Sequence, residues 1–342
     1  MSIAHLIAST LNVALGKFDI ALARRSWLDA VQNAIRPHNI FQPPPSLSAE
    51  AISYLSQKNP RLISLAAQYQ SCIPQVMRPS RWTAEYQYRH IDISIFRNDN
   101  AYVFCDKNSE CTYALTSYYL ESLDRLNLLE RLAEDGMFGV KMFEYRQNIV
   151  VSRDLLDSIT EIYSLLSHIP STALQDGNVL DIGAGYGRLA HRLTEALPYI
   201  RRVICVDAIP LSTFLCEYYL EVRAVSRALT VAFPDIEQTL RSNPVSLAVN
   251  IHSFSECPLN AIEWWLKLIS KHEIPCLFLV PNAADHGGLR LLSQEADGTR
   301  CDYSPILDAN GYKRFARVPK YADHVIQRIG ISPTHYHFFK LA

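Results

Sequence analysis

One stretch constrains this chain more than any other: an apolar run, Asn178-Val-Leu-Asp-Ile, passes directly into Gly183-Ala-Gly-Tyr-Gly187 and then Arg188. Such a run reads as a fully buried strand, and the helical spacing of Leu189 to Leu197 follows at once. Three glycines at alternate positions between them mark a sharp turn lying close to something that has no room for side chains. Free N–H groups at the start of the following helix suit a negative or polar ligand end. The spacing is GxGxG and differs from the GxGxxG fingerprint of dinucleotide sites.

The pattern around the turn agrees. Arg202-Val-Ile-Cys-Val reads as a second strand that ends on Asp207, Leu211 to Val225 as a helix, and Val245 to Ile251 as a strand. Leu259 to Lys271 reads as a helix and Pro275 to Val280 as a strand, and Thr334 to Leu341 alternates like a last sheet strand. Alternating strands and helices predict an α/β fold, a Rossmann-like parallel sheet covered by helices on both faces. A carboxylate at Asp207 is placed to accept two ribose hydroxyls. The plain alternatives are a tight turn without a ligand and a nicotinamide enzyme.

Ahead of residue 151 the signals weaken. Residues 1–36 and 48–70 have helical spacing, separated by the stiff Phe41-Gln-Pro-Pro-Pro-Ser break. Tyr86 to Phe104 alternates like strand in places, and Tyr113 to Leu132 reads as helix. The division expected is therefore 1–150, a mainly helical region acting as cap or oligomer surface, and 151–342, the domain with the glycine turn. Ser152 is a good cap for a helix with acids in its first turns.

Composition narrows the partners. The 342 residues carry 33 basic and 34 acidic side chains, a net charge of −1, without a basic run. Neither a nucleic acid backbone nor an anionic membrane is called for. Eight cysteines are scattered without a CxxC pair, as expected of free thiols in a reducing compartment. The first residues, Met1 to Phe18, lack the basic start of a leader, and their apolar stretch is interrupted by polar residues. The expectation is a cytoplasmic protein that does not span a membrane.

Asn178-Val-Leu-Asp-Ile-Gly-Ala-Gly-Tyr-Gly-Arg-Leu-Ala-His-Arg192 resembles motif I of class I S-adenosylmethionine-dependent methyltransferases. More narrowly, the chain is similar to the bacterial sugar O-methyltransferases, a likeness that extends to Val151-Ser-Arg-Asp-Leu-Leu-Asp-Ser, Asn250-Ile-His-Ser-Phe-Ser-Glu and Val280-Pro-Asn. The resemblance implies S-adenosyl-L-methionine as cofactor, with Gly183, Gly185 and Gly187 along its methionine part and Asp207 on its ribose. Asp181, Ala184, Arg188, Ala208 and Asn250 are counted with them as cofactor-binding. The acid that would contact adenine has no clear counterpart, and Asp235 is the candidate. No set of three carboxylates has metal-site spacing, so no metal is expected.

A sugar hydroxyl is a weak nucleophile, so its methylation calls for a base. His252, just past the strand that ends at Ile251, is the first candidate, with Glu256 to orient it or to act itself. His286, after the strand that ends at Val280, is the second. A histidine in either place is also a common hydrogen-bonded structural residue. An ordinary histidine base would make the rate fall as pH drops through roughly 6.5. The acceptor expected is a saccharide or another small molecule. The alternatives are O-, N- or C-methylation of a non-sugar metabolite, and a methyltransferase fold kept only as a binding subunit. An intact glycine turn with Asp207 speaks against the last.

Overall fold

The computed structural model describes residues 41–72, 82–98 and 108–342, and singly Leu11, Arg25 and Leu28. The helix expected over 1–36 lies outside the described residues apart from those three. The elements before the glycine turn are α1 (Ala49–Tyr54), α2 (Pro60–Cys72), α3 (Ala84–His90), α4 (Glu110–Glu121), α5 (Leu128–Arg131), a hairpin of β1 (Phe143–Arg146) and β2 (Ile149–Val151), α6 (Arg153–His168) and α7 (Ser171–Leu174). Then come β3 (Asn178–Ile182), α8 (Arg188–Ala196), β4 (Arg202–Val206), α9 (Pro210–Val222), β5 (Ala228–Val231), α10 (Ile236–Ser242), β6 (Leu247–Ile251), α11 (Leu259–Lys271) and β7 (Cys276–Val280). The chain closes with α12 (Ser304–Ala309), β8 (Tyr312–Pro319), α13 (His324–Ile329) and β9 (His335–Leu341).

The main sheet has seven strands in the order β5-β4-β3-β6-β7-β9-β8. The first five are parallel, and β9 runs antiparallel between β7 and β8. The strand order reverses between β3 and β6, which opens a crevice at the carboxyl ends of those strands, the usual ligand position in such sheets. All five residues of β3 are buried, as a strand covered on both faces requires.

Two expectations for the first region are corrected. Tyr86 to Phe104 is not strand over its described part. It begins in α3, where Thr83 caps the Tyr86 N–H, Glu85 sits in the first turn and Arg89 and His90 in the last, and continues as a short helical turn at Ile93–Ile95. Terminal charges and a cap outweigh a loose alternation. Tyr113 to Leu132 is two helices, because the Asp124 carboxylate accepts the Leu128 and Leu129 N–H groups (2.7 and 2.8 Å) and starts α5 afresh.

The early helices pack directly on the sheet domain. Tyr54 stacks on Phe214 and Tyr218 of α9 at ring separations of 5.5 and 4.8 Å. Arg61 pairs with Glu217 at 2.6 Å. Tyr69 reaches inward, its hydroxyl meeting Thr213 Oγ1 (2.7 Å), the Asp207 carbonyl (3.2 Å) and the Phe233 N–H (3.0 Å). Among the described residues, no helix is long and apolar enough to cross a membrane. Cys111, Cys205, Cys216, Cys257, Cys276 and Cys301 are free thiols.

A buried ionic cluster ties the hairpin region to α6 and α8. Arg97 binds Glu134 (2.8 Å) and Asp154 (3.2 Å), and Arg192 approaches Glu134 at 3.4 Å. Burial alone would raise the Glu134 carboxyl; Arg97 and Arg192, with hydrogen bonds from Arg97 and Ser152, overcome it and hold the group at about 2. A carboxyl depressed in this way contributes stability above its unfolded value near 4.3, and that contribution is lost as pH falls towards 2. Glu134→Ala leaves two guanidiniums poorly paired and should cost about 3–5 kcal/mol in urea unfolding at pH 7. Against wild type, Glu134→Gln should flatten the loss of stability between about pH 4.3 and pH 2.

Candidate active site

The cleft at the carboxyl ends of β3, β4 and β6 is built around Asp207. Pairing of β3 with β4 carries one step past the strands, so the Gly183 and Ala184 N–H groups both donate to the Val206 carbonyl (2.8 and 3.2 Å). That turns the chain, and the Gly185 N–H then donates to Asp207 Oδ2 at 3.1 Å. The other carboxylate oxygen, Oδ1, accepts the Ile209 N–H at 2.9 Å. Burial nevertheless pushes the Asp207 carboxyl up to about 6 and that of Asp181, in β3, up to about 7.

The glycines of the turn serve different ends. All have positive φ, and a Cβ on Gly183 would lie 2.3 Å from Ser253 Oγ, so there the turn needs close packing against the loop after β6. A Cβ on Gly185 would meet nothing within 4 Å and would project into open space. Gly185 is thus where a ligand can lie against bare backbone.

Of the expected residues, Asp181, Gly183, Ala184, Gly185, Arg188, Asp207 and Ala208 line this cleft together with His252 and Glu256. Four of the candidates do not line it. Asn250 spans the strand ends instead, donating to the Ile182 carbonyl (2.8 Å) and accepting the Phe254 N–H (2.9 Å). Asp235 is exposed at the start of α10, and the nearby Phe233 N–H is taken by Tyr69. His286 sits on the turn Ala284–His286, where its Nδ1 accepts the Arg290 N–H at 3.4 Å. Gly187 packs at the start of α8, where a Cβ would lie 3.0 Å from Cys216 Sγ.

His252 is conspicuous for its environment. Its φ is 66°, its N–H donates to the Val280 carbonyl at 2.7 Å, and its Nδ1 is buried without a hydrogen-bond partner. Burial, reinforced by the Arg153 charge, pushes its imidazole down to about 3, so it is neutral over the whole ordinary pH range. Glu256 does not orient it through Nδ1; the Glu256 carboxylate accepts the Trp82 indole N–H (2.5 Å) and the Asn282 amide (3.4 Å).

Several cleft residues lie outside the expected site set. Trp82 comes from the early region, and Arg153 and Asp157 from α6. Asp157 pairs with Lys320 at the end of β8, and Arg153 Nε donates to Ser332 Oγ at 2.9 Å. Arg188 is committed to Glu161 through two bonds (2.8 and 3.0 Å) and to Ser158 Oγ (2.8 Å). The available signal was the spacing of Asp154, Asp157 and Glu161, which puts three acids on one face of α6. Among the described residues, no group of three or more His, Cys, Asp or Glu is arranged to hold a metal ion.

Residues 144–249 match the family model described as the methyltransferase small domain. No curated protein matches the chain significantly. Among solved structures, the chain is similar to a SAM-dependent methyltransferase from Aquifex aeolicus, at 13% identity over 53% of this chain and 90% of that one, with a TM-score of 0.40. It is also similar to the magnesium protoporphyrin IX methyltransferase from Synechocystis with bound SAM, at 15% identity over 56% of this chain and 83% of that one, TM-score 0.38. A glycopeptide N-methyltransferase complexed with SAM is similar at 14% identity over 54% and 93%, TM-score 0.39.

Sheet order and glycine turn give a Rossmann-like fold, and residues 144–249 within it match the methyltransferase small domain. The cleft suits S-adenosylmethionine, the methyl donor of such enzymes. Bare backbone at Gly185 leaves room for the methionine part, Asp207 offers a carboxylate to the ribose, and Ile209, Pro258 and Trp265 form an apolar wall suited to a planar base.

Calorimetry with S-adenosylhomocysteine checks this arrangement. Asp207→Asn should weaken binding by about 1.5–3 kcal/mol, the scale of hydrogen bonds to a charged group. Gly185→Val should abolish binding, and wild type should not bind NADH. An ionised carboxylate accepts from hydroxyls more strongly than the protonated acid, so wild-type affinity should be level above pH 7 and weaken as pH drops through about 6.

Proposed function

We propose that the chain transfers a methyl group from S-adenosylmethionine to a hydroxyl of a saccharide, with His252 at the reacting hydroxyl and Trp82 on one wall of the acceptor site. The observation that carries this reading is the company His252 keeps in the cleft: the Trp82 indole and the Asp157 and Glu256 carboxylates line the same space. An aromatic face flanked by carboxylates is the combination that a sugar ring, apolar on its faces and rich in hydroxyl donors at its edge, can use.

S-adenosylmethionine supplies the electrophilic methyl group when bound. The chain's own part is to hold the acceptor hydroxyl in line and to take up its proton. Neutral His252 lines the cleft, and its imidazole is the group proposed to accept that hydroxyl hydrogen. Its depressed basicity makes it weak in the ground state, so its help is largest late in the transfer, when the hydroxyl has become acidic. Asp157 and Glu256, held by Lys320 and by Trp82, are placed to accept from neighbouring hydroxyls.

Single-turnover methylation of a saccharide acceptor is the test. His252→Ala should slow the step by about 10²-fold while leaving S-adenosylhomocysteine affinity nearly intact. Glu256→Gln should raise KM more than it lowers kcat, and His286→Ala should behave as wild type. With cofactor saturating, the wild-type rate should hold level from pH 8 to about 5, because burial takes the histidine's titration down to about 3. A fall centred on 6.5, or full activity of His252→Ala, moves the base elsewhere.

A further inference from the structure

Tyr69, near the end of α2, is buried, and its hydroxyl makes no bond within its own helix. It accepts the Phe233 N–H at 3.0 Å, donates to the Asp207 carbonyl at 3.2 Å and lies 2.7 Å from Thr213 Oγ1. A hydroxyl has one donor and two acceptor positions, so with Thr213 donating to it the group is fully used. A phenylalanine would fill the same space without burying a hydroxyl. Packing of α2 against α9 therefore does not by itself call for tyrosine here.

The three partners stand at separate points around the nucleoside half of the cleft. Asp207 ends β4 and offers its carboxylate to the ribose. Thr213 lies in the first turn of α9, which Ile209 precedes, and Ile209 belongs to the apolar wall. Phe233 follows β5, and its ring stands edge-on to that of Trp265 at a centroid separation of 5.7 Å. Trp265 belongs to the same wall. One hydroxyl, 138 residues ahead of Asp207 in the chain, thus joins the ribose side of the cleft to its base side. Tyr69 itself does not line the cleft.

We propose that Tyr69 is a positioning residue for the cofactor: through its hydroxyl the early helices hold Asp207 and the Phe233–Trp265 contact at the spacing that an adenosine group needs. Affinity for S-adenosylmethionine then depends on a side chain of α2 that acts only through others. The proposal rests on the cofactor assigned to the cleft and is independent of the acceptor.

The test is calorimetry on the full chain with two ligands, S-adenosylhomocysteine and 5′-methylthioadenosine, which keeps the nucleoside but lacks the amino-acid tail. Tyr69→Phe keeps the ring and removes the hydroxyl. It should weaken both ligands by about 5- to 10-fold and by the same factor, the scale of one buried hydrogen bond. Thr213→Val leaves the links to Asp207 and Phe233 in place and should stay within about 2-fold of wild type. In an Asp207→Asn background, Tyr69→Phe should cost only about 2-fold, because part of its effect passes through that carboxylate. Urea unfolding checks that each variant is folded at the temperature of titration; a tyrosine that served stability alone would lower the urea midpoint and leave the affinity of the folded protein as it was. Unchanged affinity of Tyr69→Phe, a loss for S-adenosylhomocysteine but not for 5′-methylthioadenosine, or an equal loss in both backgrounds overturns the proposal and leaves the cofactor assignment standing. Failure of wild type to bind either ligand removes both.

Discussion

Asp207 is the residue on which the site depends. Its carboxylate accepts the N–H of Gly185 on one oxygen and the N–H of Ile209 on the other, so it sets both the shape of the glycine turn and the entry into α9. Its backbone carbonyl accepts the Tyr69 hydroxyl, so the early helices are anchored to the same point. An acid buried at a strand end is costly, and burial raises its carboxyl despite hydrogen bonds from the Ile209, Gly185 and Ala208 amides and from Ser212. The remaining acceptor capacity is what a ribose can use. Turn, helix start and early helices thus converge on one residue at the mouth of the cleft.

A second layer of charge supports the cleft from below. On α6, Asp154 serves Arg97, Asp157 serves Lys320, and Glu161 serves Arg188. Buried ion pairs of this kind contribute little net stability compared with apolar packing, because desolvation consumes most of the Coulomb gain. Their value here is positional. Lys320 stands where β8 ends, so its pairing with Asp157 links the antiparallel edge of the sheet to the wall of the cleft. Arg188 stands at the first position of α8, so Glu161 fixes the helix that follows the glycine turn.

The parts of the fold legible in the sequence were those buried on both faces. β3, β4, β6 and β7 read as short apolar runs, and α11 was recognised over Leu259–Lys271 because its periodicity is clean. β8 was missed because its outward positions carry Lys313, Arg314 and Arg317, as suits a charged sheet edge. β5 was missed because it is only four residues long and largely half-buried. In the site, the glycine turn and Asp207 were legible because their chemistry is local. Trp82, Arg153 and Asp157 were not, since only the tertiary fold brings them beside His252. Asn250 and Asp235 show the converse: each lies at the correct end of a strand, yet one amide is used to join β3 to the loop after β6, and the other residue faces solvent at a helix start.

His252 combines three costs that a structural residue in its place would avoid. Its backbone sits at φ 66°, ψ −31°, a conformation that glycine adopts readily and a side-chain-bearing residue only with strain. Its ring is desolvated, and its Nδ1 has no hydrogen-bond partner. A glycine would relieve all three and could still donate its N–H to the Val280 carbonyl, which joins the loop after β6 to the end of β7. Natural chains concentrate such local violations where function demands them and compensate elsewhere. The compensation is visible in Asn250, whose side chain clamps the same loop from below, so that the strained residue is held by its neighbours at the edge of the cleft.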